Sequence, residues 1–240
     1  MPANPCLFHD ICEVQMNSFQ HWLRAQRLRS AQFRRWGVQS LGAIALLLIT
    51  AWPAAAHHAT GGETPNSALQ GFLSGLAHPI IGVDHLAFVI AIGLLAATAI
   101  RGIVLPVAFV GGTVLGTLIH LMAWDLPFLE MVVSASVLGF GLVLALGRQV
   151  PWGGLVGLGA IAGLFHGYAY GEAVIGAEMT PILAYLAGFA TIQLGIAIAA
   201  CQVGRTLLKA EADRPSLALR FAGFALAGAG AAFLSSVVLG

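Results

Sequence analysis

Only 9% of the 240 residues are Asp, Glu, Lys or Arg and 58% are hydrophobic, whereas a soluble domain carries roughly 25% charge. The formal net charge is +1, and the absence of any basic patch interleaved with aromatics excludes a nucleic-acid partner. Composition therefore predicts an all-α, polytopic membrane helical bundle whose surroundings are lipid.

The first 36 residues hold Arg24, Arg27, Arg29, Arg34 and Arg35, and an apolar run over 38–52 follows, closing on Pro53-Ala54-Ala55-Ala56. A basic start, a short apolar centre and an A-x-A end read as a secretory signal peptide, cleaved after Ala56. The basic region is long for a signal, so a true start at Met16 and a cytoplasmic extension over 1–36 both fit. An uncleaved first helix is the competing reading, and the shortness of the run counts against it. The chain then divides into 1–56, extension and signal, and 57–240, the membrane domain. Cleavage would expose His57 and His58, whose imidazoles and new α-amine could hold a metal loosely. Cys6, Cys12 and Cys201 make neither a disulfide framework nor a C-x-x-C pair.

Six apolar segments follow, over 69–99, 102–124, 126–147, 151–171, 179–204 and 217–240. Each has the ~20 residues that cross ~30 Å of hydrocarbon. Past the signal region Arg101, Arg148, Arg205, Lys209, Arg214 and Arg220 all fall in or beside the connections after segments one, three and five. The positive-inside rule makes those connections cytoplasmic and puts both mature termini outside. Glu63, Asp125, Glu130, Glu172 and Glu178 gather toward the outer side, with Glu211 and Asp213 inside. An outer mouth of carboxylates without cations would concentrate divalent cations, although acidic residues carry little topological information.

Segment one contains His78-Pro79-Ile80-Ile81-Gly82-Val83-Asp84-His85. Ionisable groups at membrane depth are costly and mark functional sites. On one continuous helix His78 and His85 share a face, with Asp84 one step round. Pro79 and Gly82 loosen the helix there, which is tolerated only where backbone lines a cavity or packs in protein. Two imidazoles and a carboxylate suit Ni²⁺, Co²⁺ or Zn²⁺.

Topology adds two more histidines. His120 lies ~6 Å and His166 ~7 Å from the outer ends of segments two and four, level with His78. A lone intramembrane histidine is usually an interhelical hydrogen-bonder; four at matched depth with Asp84 point to a metal site. Gly159, Gly163, Gly167 and Gly171, and Gly112 and Gly116 with His120, recur every four residues and predict close helix packing. Tyr170 shares a face with His166 and reads equally as a hydrogen-bond partner of a ligand histidine or, with Tyr168, as an interface tyrosine. Glu172 joins the site only if Gly171 ends the helix.

His78-Pro79-x-x-Gly82-x-Asp84-His85 and Phe165-His166-Gly167-x-Ala169 resemble the two signatures of the HupE/UreJ family of nickel and cobalt permeases. The likeness extends over the mature chain and implies metal roles for His78, Asp84, His85 and His166. It departs at Tyr170, where many members carry histidine, and at Glu172, one residue early. What the resemblance implies is a secondary transporter of the bacterial inner membrane importing Ni²⁺ or Co²⁺ as cargo, with no cofactor and no enzymatic activity. The chain has no G-x-x-x-x-G-K-[ST] loop for ATP. Rival readings are an intramembrane zinc metalloenzyme, disfavoured by the lack of H-E-x-x-H, and a non-transporting metal accessory protein. The residues leave oligomeric state open, a homo-oligomer included.

Overall fold

The computed structural model describes residues 64–147, 150–210 and 217–239. The signal peptide, His57, His58, Glu63, Arg148, Glu211, Asp213 and Arg214 lie outside those residues. The described chain is helical and contains no strand: α1 (Ala68–Ile81), α2 (Val83–Ala96), α3 (Val104–Leu121), α4 (Leu129–Leu146), α5 (Trp152–Gly171), α6 (Met179–Ala210) and α7 (Leu217–Leu239), with a 3-10 turn at Glu172–Val174.

The first apolar segment is not one helix. α1 and α2 meet at Gly82 with a bend of 80°, so His78 and His85 reach one another from two helices rather than along one face. Gly82 is extended (φ −70°, ψ 99°), yet its amide still donates to His78 O at 3.0 Å and its carbonyl accepts from Leu86 N at 2.8 Å. The break therefore leaves neither of these backbone groups unpaired, the condition for irregular backbone at membrane depth. Pro79 stays helical in the last turn of α1. With 14 residues each, the two helices are ~21 Å long and cross hydrocarbon only as a pair.

Helices α3, α4, α6 and α7 are long and apolar enough to span a membrane, and the bent pair makes a fifth if it counts as one span. α5 has 20 residues but is less apolar, because its sequence is rich in glycine and carries His166, Tyr168 and Tyr170.

The closest helix pairs are α3 with α5, α4 with α7, and α1 with α6, while α2 touches α3, α4, α6 and α7 from the centre of the bundle. Both glycine ladders serve the α3–α5 seam. A methyl group added at Gly116 would strike the Leu164 carbonyl, and one at Gly167 the Thr113 carbonyl. With no Cβ at these positions the backbones touch, and Thr117 Oγ1 reaches across to donate to Gly167 O at 2.7 Å. Small residues at spacing four do this in lipid because helix association there relies on close packing. The core beneath is Phe88, Ile92, Leu105, Phe109 and Val137, all fully buried.

Candidate metal centre

The break at Gly82 delivers two helix ends to one place. His78 comes from the last turn of α1, and Asp84 and His85 from the first turn of α2. Asp84 Oδ1 accepts from the His85 amide at 2.8 Å, the position at which a helix N-terminus favours a carboxylate. The last two turns of α5 add His166 and Tyr170, both fully buried. Ring centroids are 6.0 Å apart for His78 and His85, 5.0 Å for His85 and His166, 5.0 Å for His78 and Tyr170, and 4.5 Å for His85 and Tyr170. Phe88 stacks on His166 at 4.5 Å and Phe109 meets its edge at 5.7 Å, so hydrocarbon closes the inner side of the cluster.

Hydrogen-bond partners assign the tautomers of the neutral imidazoles. Ser136 Oγ spends its one proton on Val133 O, at 2.6 Å. Its oxygen can then only accept from His166 Nε2, 2.9 Å away. His166 Nδ1 is left bare, and His85 Nδ1, at 2.8 Å, must donate to it. The same logic holds at His78. Tyr185 Oη donates to Tyr170 O at 2.9 Å, so His78 Nδ1 donates to Tyr185 Oη at 3.1 Å. In both His78 and His85 the lone pair is thereby placed on Nε2, with Nδ1–H held by an acceptor. Metal-ligating histidines are oriented in this way by their outer partners.

Two of the sequence candidates stand apart. The His120 ring lies 4.2 Å from Tyr168 and fills the space beside Gly171; its Nδ1 is buried without a hydrogen-bond partner. Matched depth did not bring it to the cluster, because His120 faces the α3–α5 seam. Glu172 is exposed, since Gly171 keeps helical torsions (φ −59°, ψ −30°) and the chain winds on into the 3-10 turn. Asp125, Glu130 and Glu178 are exposed along the α3–α4 and α5–α6 connections. Tyr168 and Tyr170 are buried rather than interfacial, and the Tyr170 hydroxyl does not bond a histidine.

Among the described residues no three His, Cys, Asp or Glu side chains surround one point with metal-ligating geometry. What the cluster brings together is three imidazoles and a carboxylate beside a backbone break. Ser136 and Tyr185 were not singled out from the sequence. Each is a polar group within an apolar stretch of helix, the signal by which interhelical hydrogen bonds are found.

The family model for HupE / UreJ protein matches residues 44–233. Protein HupE of Rhizobium leguminosarum bv. viciae is 34% identical over 176 residues, covering 69% of this chain and 85% of that relative. No solved structure matches the chain. A family model that matches most of the chain and a relative of 34% identity together show that the chain belongs to the HupE/UreJ family, as a multi-pass membrane protein.

Proposed function

We propose that the chain is a secondary transporter that carries Ni²⁺ or Co²⁺ inward across the bacterial inner membrane through the cluster at Gly82. The observation that carries this reading is the meeting of His78, His85 and His166, from three helices, with neighbouring ring centroids within 6.0 Å inside an apolar bundle. Imidazole with one carboxylate suits a late first-row divalent ion, and HupE/UreJ membership agrees with such cargo. His78 and His85 bind through Nε2 and Asp84 supplies charge, while His166 holds His85 in the binding tautomer. Exposed Asp125, Glu130, Glu172 and Glu178 gather the hydrated cation at the mouth.

The lack of a closed three-ligand cage among the described residues suits carriage better than storage. A conducted ion must be held strongly enough to enter and weakly enough to leave, whereas a sequestering protein gains from a complete cage. All six apolar segments form the carrier body in this reading, with α1 and α2 acting as one broken span and both termini periplasmic.

Uptake of radioactive nickel and cobalt by cells making the wild-type chain or His85→Ala tests the proposal. Accumulation with the wild type and none with the variant is expected; equal accumulation in the two would mean that the metal does not pass this cluster.

A further inference from the structure

One helical turn inward of the histidines, three helices bring a phenylalanine each to one layer. Phe88 of α2 stacks on His166 and meets Phe109 of α3 at 5.1 Å and Phe140 of α4 at 4.9 Å between ring centroids. Phe109 touches the edge of His166 as well, and all three phenylalanines are buried. Polarity ends at this layer. α2 and α4 descend from the histidine level and α3 rises to it, so order along the chain reads as depth. His85 precedes Phe88 on α2, Thr113 and Thr117 follow Phe109 on α3, and Ser134 precedes Phe140 on α4. On each of these helices the buried polar side chains therefore lie on the histidine side of the phenylalanine. Beyond it the core runs on through Ile92, Leu105, Leu144 and Leu155, all apolar.

A divalent cation leaving the cluster by that side meets aromatic carbon with no donor atom, and an unpaired charge in hydrocarbon is prohibitively costly. A constriction of this kind stops ions by excluding water. We infer that Phe88, seated between Phe109 and Phe140, is the inner gate of the carrier and holds the ion at the histidines until α2 moves. Phe88 lies one turn beyond Asp84 and His85 on the same helix, so two donors and the gate ring ride on one element. A displacement of α2 that draws His85 away from His166 also lifts Phe88 off the His166 face. The donors are then lost in the same movement that opens the way inward, which couples release to passage.

The inference rests on the cluster being the transport site, and the experiment separates the two ideas. The full chain is reconstituted in liposomes that enclose a nickel-quenched dye, and initial entry is measured against external nickel for the wild type, His85→Ala, Phe88→Ala and Phe189→Ala. Phe189 is as deeply buried as Phe88 but packs on Tyr170 and Tyr185, so it reports what loosening the core does by itself. Wild-type entry is expected to saturate and His85→Ala to lose it. Phe88→Ala should lose saturation, its rate rising past the wild-type plateau in proportion to nickel, while Phe189→Ala shows no such leak. Saturable or absent entry in folded Phe88→Ala, or an equal leak in Phe189→Ala, overturns the gate and leaves the transport reading intact. Wild-type entry no greater than that of His85→Ala overturns the transport reading itself. If Phe88→Ala aggregates in detergent, Phe140→Ala takes its place: unsaturable entry upholds the inference, and saturable or absent entry ends it.

Discussion

His85 Nδ1 stands 2.8 Å from His166 Nδ1, across the contact between α2 and α5. Because Ser136 fixes the proton of His166 on Nε2, the donor in that contact is His85. The roles of the two histidines are therefore unequal. A glutamine at 166 can still accept from His85 through its amide oxygen, while a glutamine at 85 has no imidazole lone pair to offer. His166→Gln should keep measurable nickel uptake with a raised KM, and His85→Gln should keep none. Equal loss in both variants would make His166 a ligand in its own right.

Ser136→Ala removes the acceptor that holds His166 Nε2–H. Outer-shell losses of this kind weaken metal binding by about 10-fold to 100-fold, so KM for nickel should rise within that range. Ser136→Thr, which keeps the hydroxyl, should restore most of the affinity; a threonine variant as weak as the alanine one would speak against the hydrogen bond.

Tyr185→Phe takes away the oxygen that accepts from His78 Nδ1 and donates to the Tyr170 carbonyl. A KM increase of similar size, about 10-fold or more, is expected with normal protein in the membrane. Combined with Ser136→Ala the two effects should multiply, because the hydroxyls orient different histidines. Transport assays on the double variant check this directly.

Gly82→Ala should impair uptake although the torsions of Gly82 suit any residue. The added methyl would lie 2.6 Å from His85 Cδ2 and 3.4 Å from Asp84 Oδ1, so the imidazole must move. Wild-type kinetics in this variant would show that the His85 ring position is not needed for carriage.

Gly167→Val tests the seam instead of the site. Its side chain would meet the backbone of Thr113, and overpacking a tight interface costs about 1–3 kcal/mol. The expected loss is of folded protein in detergent, read from a melting curve, with Gly157→Val as the comparison because nothing lies within 4 Å of a Cβ there.

Where an ion is held by imidazole nitrogens, protons compete with it for them. Acidifying the medium should therefore lower nickel uptake, and raising nickel should recover it. An acid effect that excess nickel cannot reverse would place the titration outside the ion's binding step.

Composition and the spacing of small residues made the helical bundle and the α3–α5 seam legible in the sequence, since both follow from local chemistry. The first segment was harder. Pro79 and Gly82 both marked a loosened helix, and only tertiary packing decides that Pro79 stays helical while the chain turns three residues later. Depth along a helix says nothing of azimuth, and the turn of α3 that approaches α5 packs His120 against Tyr168. Ser136 and Tyr185 were visible as polar groups in apolar runs, but their histidine partners lie 30 and 107 positions away in the chain, beyond any local pattern.

The interruption between α1 and α2 also places His78 on one arm and Asp84 with His85 on the other, 80° apart about a single glycine. Any swivel there alters the gap between the imidazoles, so in the proposed carrier the grip on a cation and the attitude of the two arms would be one mechanical variable. Opening the elbow would then loosen the ion without any change in its chemistry.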